Sequence, residues 1–160
     1  MRFFCIIIGM TITYQEEQLK DFIPEFDVLL EPHMTEINIT QRFGFKFKPD
    51  YQQYIKMQEF GVLVVLTCRN DKELVGYTVF NIFPSIRFPD CKMAKEDLYY
   101  IKPEFRGKGL GKQLFIETEK LLKKKGVDQI VFTTKTYQDY SPIFESLGYE
   151  FYEKHFIKKL

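Results

Sequence analysis

The sequence lacks an excess of charge of either sign, and this limits the partners that the protein can bind. Its 160 residues contain 23 lysines and arginines against 22 aspartates and glutamates, which gives a formal net charge of +1. Proteins dedicated to nucleic acid rely on a positive field over the binding surface. The charge balance therefore argues against nucleic acid as the partner.

Cysteine and histidine are scarce, so few side chains are available for metal or disulfide chemistry. The three cysteines, at positions 5, 68 and 91, match neither a zinc-site spacing nor a small disulfide framework. We expect reduced thiols, a cytoplasmic protein and no metal site. The two histidines, His33 and His155, lie outside every motif, and we expect them in surface or interface packing.

Long hydrophobic runs and linkers are also missing. The apolar stretch of residues 3–8 has no small-residue cleavage site after it and is too short to span a bilayer. We interpret it as a first β-strand or as an extension ahead of an alternative start at Met10. Without repeats or a Ser/Pro-rich linker, residues 1–160 are expected to form one domain, with residues 1–9 as a possible N-terminal extension.

The chain does show an alternation of helical and strand periodicity, which predicts a mixed α/β fold. Thr13 and Glu16 match a capping box at the start of the first helix, and Pro24 predicts a kink or break in that helix. The predicted elements are, in order, a strand ending over residues 11–14, helices over 19–30 and 50–61, a hairpin over 62–68 and 74–83, a strand over 97–101, a helix over 110–125, a strand over 129–134, a short helix over 141–147 and a closing strand over 149–157.

A glycine-rich segment over residues 106–112 (RGKGLGK) joins the strand at 97–101 to the long helix. Three glycines in five residues let successive backbone N–H groups converge on one anion, and the helix dipole adds positive potential. The side chains of Arg106, Lys108 and Lys112 add further positive charge. The segment therefore predicts a binding site for a diphosphate.

Two common phosphate-binding motifs do not fit this segment. A Walker loop would need glycine in place of Arg106 and serine or threonine in place of Gln113. A dinucleotide-binding fingerprint would need glycine or alanine in place of Lys112 or Leu114, depending on its register. Both motifs are therefore rejected.

The spacing Arg106-x-x-Gly109-x-Gly111 resembles the acetyl-CoA pyrophosphate loop of the GNAT acetyltransferases, in which Arg or Gln is followed by x-x-Gly-x-Gly or x-x-Gly-x-Ala. The flanks agree. Residues 98–107 (LYYIKPEFRG) are similar to the family's strand 4 and the loop after it, and residues 144–149 (FESLGY) resemble its C-terminal signature. With residues 74–77 (LVGY) resembling the third strand, the chain is identified as a compact, bacterial or phage-type member of the GNAT superfamily.

This resemblance implies the family's fold and cosubstrate. The fold is a mixed α/β (α+β) arrangement, in which a central, mostly antiparallel sheet is splayed between the family's strands 4 and 5 and flanked by helices. Acetyl-CoA is the implied donor for a primary amine, which attacks it directly in a ternary complex without a covalent acyl-enzyme. The residues implied to bind acetyl-CoA are Tyr100, Ile101, Arg106, Gly107, Lys108, Gly109, Leu110, Gly111, Lys112, Tyr137 and Phe144.

Two adjacent carboxylates are candidates for the catalytic base. Direct attack requires a neutral amine, so a carboxylate that accepts the ammonium proton favours the reaction. By resemblance to spermidine/spermine-type members, Asp97 is the candidate base, and Glu96 is the alternative. Period-two alternation predicts one strand face with Asp97, Tyr99 and Ile101 and an opposite face with Glu96, Leu98 and Tyr100. Only one of the two carboxylates is then expected to face the cleft.

Two positions depart from the family's pattern. Phe144 stands where many members carry the tyrosine that protonates the leaving thiolate, and phenylalanine cannot donate a proton. Tyr140, one helical turn earlier, is the candidate replacement, with Ser141 as an alternative. Tyr137 stands where an asparagine that contacts the cofactor is common. These departures leave open a non-catalytic acyl-CoA-binding or interaction module on the same fold.

The sequence leaves the acceptor open. Small-molecule amines, peptide N-termini, lysine side chains and modified nucleobase amines all remain candidates, since the variable N-terminal half shapes that side of the site in the family. No membrane partner is expected, and the location is the cytoplasm, or the host cytoplasm for a viral protein. The aromatic residues of the closing strand at 149–157 are expected in the core, with part of that strand as an alternative homodimer surface.

Overall fold

The computed structural model describes residues 2–7, 10–38 and 44–160, and the side chains of residues 11–38 and 44–160. Within these residues the strands are β1 (Arg2–Ile7), β2 (Met10–Glu16), β3 (Leu63–Asn70), β4 (Glu73–Pro84), β5 (Lys92–Ile101) and β6 (Gln129–Val131). The helices are α1 (Ile23–Ile37), α2 (Tyr51–Glu59), α3 (Leu110–Lys124) and α4 (Ser141–Glu145). Short 3-10 turns over Leu19–Asp21 and Pro103–Phe105 precede α1 and α3.

The six strands lie side by side in chain order, and each of the first four is antiparallel to the next. β5 and β6 are parallel, with α3 as the crossover between them, as parallel neighbours require. Their pairing covers three residues of each strand and ends at Lys95 and Val131. The expected mixed, mostly antiparallel sheet is confirmed, and it opens between β5 and β6.

The helices divide between the two faces of the sheet. On one, here called the α1 face, Phe26 of α1 packs with Val65 and Tyr77, and side chains of α2 join the same cluster. On the other, here called the α3 face, Leu114 packs against Val75. Strands β3 and β4 are therefore covered on both faces, which explains their nearly continuous apolar sequences.

Most element assignments from periodicity are confirmed. The hairpin of β3 and β4 turns at Asp71, which adopts a positive φ of 52°. Helix α2 begins after Asp50, whose carboxylate accepts a hydrogen bond from the Gln53 amide at 3.0 Å. The long helix α3 ends within one residue of its predicted end. Among the described residues, no helix is long and apolar enough to cross a membrane.

Three assignments near the ends of the chain are wrong. Thr13 and Glu16 lie in β2 and pair with β3, so they cannot cap a helix. The first predicted helix is interrupted at Phe22, between the 3-10 turn and α1, and Pro24 lies in the first turn of α1. The strand expected at 129–134 ends at Val131, because the chain leaves β5 there. The segment 149–157 forms no strand; Tyr149 packs against Phe132, but Phe151, Tyr152 and Phe156 are exposed. Residues 1, 8 and 9 of the expected N-terminal extension lie outside the described residues.

Candidate active site

A bulge in β5 determines which way the two candidate carboxylates point. Leu98 pairs with Val79, but Glu96 pairs with Phe80, so Asp97 is an extra residue without a partner on β4. An extra residue moves everything before it to the opposite face of the strand. The predicted alternation is therefore wrong for both acids.

Each carboxylate lies on the face opposite to the one predicted for it. Asp97 belongs to the α1 face, where its Oδ2 accepts a hydrogen bond from the Tyr54 hydroxyl of α2 at 2.5 Å. Glu96 shares the α3 face with Tyr99, whose ring packs edge-on against Phe115 of α3. Leu98 and Tyr100 share one face, as the alternation predicted for these two, and it is the α1 face. The two acids are thus placed on opposite sides of β5.

Glu96 is a buried carboxylate at the point where β5 and β6 part. Its Oε1 accepts a hydrogen bond from the Thr133 hydroxyl, and its Oε2 is buried with no hydrogen-bond partner among the described residues. Burial raises the pKa of the Glu96 carboxyl above its ordinary value, although the bonds from Thr133 oppose the rise. The Glu96 carboxyl is therefore protonated more readily than a glutamate in water.

Beyond this point β5 has a free edge. After Lys95 no residue of β5 pairs with β6, and the chain at Thr133 is joined to β5 by the Tyr99 hydroxyl, which donates to the Thr133 carbonyl at 3.0 Å. Backbone groups along an unpaired strand edge can bind a ligand that runs beside them. Tyr100 and Ile101, at the end of this edge, lead directly into the glycine segment.

The glycine segment forms the N-terminus of α3. Gly109 is the N-cap at φ 79°, and Gly107 has φ 73°, so both use the left-handed region that favours glycine. A Cβ added at either would meet no atom within 4 Å, which leaves open space over the loop. The amide of Gln113 donates to the Gly109 carbonyl, so the amides before it lie at the open end of the helix. This arrangement fits a diphosphate.

Arg106 is held by the protein on three sides. Its Nε donates to the Ile101 carbonyl at 2.8 Å, and its guanidinium lies 5.2 Å from the centre of the Tyr100 ring. A terminal nitrogen donates to Glu36 of α1 at 2.7 Å. Arg106 therefore fixes the shape of the loop and ties it to α1. The other two cations are also engaged: Lys108 donates to the Glu104 carbonyl and Lys112 to the Ser146 hydroxyl.

The loop between β6 and α4 crosses to the C-terminal end of α1. The Tyr137 hydroxyl donates to the Ile37 carbonyl, and the Gln138 side-chain amide donates to Glu36 and to the Tyr140 hydroxyl. Burial raises the pKa of Glu36, but the hydrogen bonds from Arg106 and Gln138 outweigh it and hold that pKa below its usual range. Sequence reasoning missed Glu36, Gln138 and Tyr54, because no local pattern marks contacts so distant in sequence.

Phe144 lies in an aromatic cluster beneath the open part of the sheet. Its ring stacks on Phe132 at 4.6 Å and contacts Tyr99 edge-on at 6.1 Å. The Tyr140 ring contacts the same Tyr99 ring at 5.8 Å. Tyr140, the candidate acid, and Phe144, which replaces the family's tyrosine, therefore both contact Tyr99 of β5. Burial raises the pKa of Tyr140, which keeps its hydroxyl protonated at neutral pH.

The sequence predicts surface or interface packing for His33, but this side chain of α1 is buried in the core. Its Nδ1 lies 2.8 Å from the Tyr77 hydroxyl, and its ring stacks on Tyr100 at 4.8 Å. Burial lowers the pKa of His33 to about 4, although Glu36 opposes the shift, so the imidazole is neutral at pH 7. The Tyr100 ring therefore contacts both the His33 imidazole and the Arg106 guanidinium.

A cavity of about 300 Å³ opens on the α1 face beside the bulge. Its lining joins α1, the segment before α2, Tyr54 of α2 and Leu98 of β5; the residues are Phe26, Leu30, Met34, Phe45, Lys46, Phe47, Lys48, Pro49, Tyr54 and Leu98. Tyr54 connects this cavity to the Asp97 carboxylate. The glycine loop therefore follows the end of β5 in the chain, and the small apolar cavity includes Leu98 of the same strand.

Comparison with known proteins assigns the family. The model of the acetyltransferase (GNAT) family matches residues 29–155, which is most of the chain, so the protein belongs to that family. No curated protein sequence matches it significantly. As a GNAT member it is an acetyl-CoA-dependent N-acetyltransferase, and the open glycine loop agrees with that cosubstrate.

Solved structures show the same fold at low sequence identity. An aminoglycoside acetyltransferase from an uncultured soil metagenomic sample is 17% identical with a TM-score of 0.73, over 93% of this chain and 96% of that one. Ribosomal-protein-alanine N-acetyltransferase from Brucella melitensis is 18% identical with a TM-score of 0.71, over 93% and 99%. An acetyltransferase from Clostridium acetobutylicum, solved with acetyl-CoA, is 12% identical with a TM-score of 0.68, over 92% and 96%.

Proposed function

We propose that this protein transfers the acetyl group of acetyl-CoA to a primary amine by direct attack within a ternary complex. The observation that carries the proposal is the open N-terminus of α3 beside the free edge of β5. We assign the diphosphate to the amides of residues 107–112, because the space beside the positive-φ glycines Gly107 and Gly109 is open. The pantetheine arm then runs along the backbone of Tyr100 and Ile101, towards Tyr137 and Phe144.

Asp97 is the proposed base. It lies on the α1 face, next to the cavity in which an amine can sit, and the Tyr54 hydroxyl orients its carboxylate. Removal of one ammonium proton frees the nitrogen lone pair, which forms the new C–N bond as the C–S bond breaks. Glu96 is the alternative base, since its raised pKa suits proton acceptance, but it lies on the opposite face.

The departing sulfur needs a proton, and Tyr140 is the proposed donor. Its hydroxyl contacts the Gln138 amide at 2.6 Å, and its ring lies against Tyr99 at the open part of the sheet. Phe144 supplies apolar surface at the same place. The sulfur can also leave as a thiolate, at a cost of about 2 kcal/mol at pH 7 for a thiol with a pKa near ~8.5.

The proposal also covers the acceptor, the cellular location and the oligomeric state. Solved relatives act on aminoglycosides and on a ribosomal protein, and both small-molecule and peptide amines fit a primary-amine acceptor. We place the protein in the cytoplasm of a bacterium, or of a host cell infected by a phage. Residues 1–160 act as one transferase domain, and the exposed aromatic segment at 149–157 is the proposed surface for a homodimer.

The direct test combines two measurements on the intact protein. Calorimetry with CoA should show binding, and release of free thiol from acetyl-CoA should depend on an added amine from a panel of amino acids, alkylamines, polyamines, aminoglycosides and peptides. CoA binding without acetylation of any amine would favour a non-catalytic acyl-CoA-binding module. Absence of CoA binding in the folded protein would contradict the assignment of the loop.

A further inference from the structure

The cavity on the α1 face has an apolar wall, and groups of opposite charge accompany it: two lysines in its lining, and the Asp97 carboxylate, which a lining tyrosine contacts. Phe26, Leu30 and Met34 of α1 and Leu98 of β5 form its wall, and Phe45 and Phe47, which are 57% and 46% exposed, lie at its open side. Tyr54, which lines the cavity, donates a hydrogen bond from its hydroxyl to the Asp97 carboxylate. The charged side chains in the lining are Lys46 and Lys48, from the segment at the opening.

Three properties of this cavity select among amines. Its volume of about 300 Å³ is at the lower end of the range for small-molecule sites, about 300–1,000 Å³. Its aromatic and aliphatic wall favours the binding of methylene or aryl groups, because each buried methylene contributes about 0.8 kcal/mol to the free energy of binding. Two lysines at the opening repel a second cation on the same molecule, whereas they attract an anionic group.

From this geometry we propose that the acceptor is a primary monoamine with an alkyl or aryl body and a neutral or anionic far end. Its ammonium group lies at Asp97, its body fills the cavity and its far end lies near Lys46 and Lys48. Polyamines and aminoglycosides are poor acceptors, because a second ammonium group would lie beside the two lysines. The proposal rests on the proposed acetyl transfer and adds to it the class of acceptor.

Three amines of equal length test the charge at the far end. Heptylamine, ω-aminoheptanoate and diaminoheptane share the same chain and end in a methyl, a carboxylate and an ammonium group. With saturating acetyl-CoA, thiol release should give kcat/KM values for the first two that exceed the value for diaminoheptane, per reactive amine, at least about fivefold. Diaminoheptane as the best of the three would overturn the proposal.

Chain length tests the apolar body. Propylamine lacks four of the methylene groups of heptylamine, and each methylene should improve KM about fourfold while the cavity has room. We expect KM for propylamine to be at least tenfold higher. Equal KM values for the two amines would show that the body does not enter the cavity and would overturn the proposal.

A charge reversal tests the assigned residues. The double variant Lys46→Glu with Lys48→Glu should make diaminoheptane the preferred amine over ω-aminoheptanoate, while the KM for heptylamine changes little. Lys56→Glu is the matched control, because Lys56 is exposed on α2 and does not line the cavity. The same reversal in the control, or no reversal in the double variant, would overturn the assignment.

The tests separate the acceptor class from the transfer reaction itself. If some other amine of the panel is acetylated and heptylamine is not, acetyl transfer stands and the acceptor class is wrong. If no amine is acetylated, calorimetry of the three seven-carbon amines against the CoA complex decides the acceptor site: the order of affinities must follow the order expected for kcat/KM. A different order, or no binding, would overturn it.

Discussion

The proposed cofactor side and the proposed acceptor side of this site are built from different parts of the chain. The cofactor side is the backbone of seven consecutive residues, 106–112, whose glycines and helix position create an anion site. The proposed acceptor side is lined by residues of α1, the segment before α2, α2 and β5, and Tyr54 reaches the Asp97 carboxylate 43 positions away. This comparison shows that a backbone site can be recognised from the spacing of nearby residues, whereas a side-chain site forms only when residues distant in sequence meet in the folded chain.

The sharpest test of the acceptor side is Asp97→Asn. If Asp97 accepts the ammonium proton, kcat/KM at neutral pH should fall at least about a hundredfold. The defect should shrink as the pH rises towards the amine's own pKa near ~10.4, because a neutral amine needs no base. The pH profile of thiol release measures both effects.

Glu96→Gln is the matched control for this change, since it removes the neighbouring carboxylate on the opposite face. It should retain most of the activity. A defect in Glu96→Gln with full activity in Asp97→Asn would exchange the roles of the two acids, and a pH-independent loss in Asp97→Asn would indicate a structural role through Tyr54.

On the cofactor side, Gly109→Val should weaken CoA binding at least tenfold, or about 1.4 kcal/mol. Gly109 has φ 79°, which a β-branched residue avoids, and a side chain there would enter the space over the loop. Gly111→Ala is the control, because Gly111 does not have a positive φ and a Cβ there would lie 3.9 Å from Ile101. Calorimetry measures both affinities, and thermal melts verify folding; unchanged affinity in folded Gly109→Val would contradict the loop assignment.

The same contrast explains which parts of the protein sequence reasoning could predict. The strand, glycine loop and long helix around Arg106 were predictable, because hydrophobic period and glycine spacing are local. The faces of Glu96 and Asp97 were not, since a single bulged residue reverses the alternation and leaves no mark in composition. The burial of His33 depends on Tyr77 and Tyr100, which come from strands far along the chain.

Tyr140, the proposed acid, and Phe144 both contact Tyr99. Because Tyr140 would protonate the departing sulfur, Tyr140→Phe should lower kcat several-fold with little change in KM for acetyl-CoA. The effect is bounded, because unaided departure of the thiolate costs only about 2 kcal/mol at pH 7. Phe144→Tyr is the companion variant. Its ring is enclosed by Phe132 and Tyr99, so a new hydroxyl should not raise kcat while Tyr140 is present. A large gain in Phe144→Tyr would show that the acid is missing rather than relocated.

The smallest expected effect is on stability, where Glu96 and Glu36 should respond to pH in opposite directions. Burial raises the folded-state pKa of Glu96, so its carboxyl favours the fold while protonated, and this contribution is lost as pH rises through that raised pKa. Glu96→Gln should therefore melt at nearly the same temperature as the parent in acid, and above it at neutral pH. Hydrogen bonds from Arg106 and Gln138, which outweigh burial, lower the pKa of Glu36, whose contribution is present at neutral pH and lost as pH falls through the lowered pKa.

Glu36→Gln is thus the control with the opposite sign, since it should melt below the parent at neutral pH with a gap that closes in acid. Thermal melts of the parent and both variants from about pH 4 to pH 7 give the comparison, over the range in which an unfolded glutamate with a pKa near ~4.3 ionises. If the melting temperatures of both variants lay on the same side of the parent's at neutral pH, the predicted opposite response of Glu96 and Glu36 would be contradicted. In that case the Glu96 carboxylate would be stabilised as an anion by Thr133, and its suitability as a proton acceptor would be lower than its burial indicates.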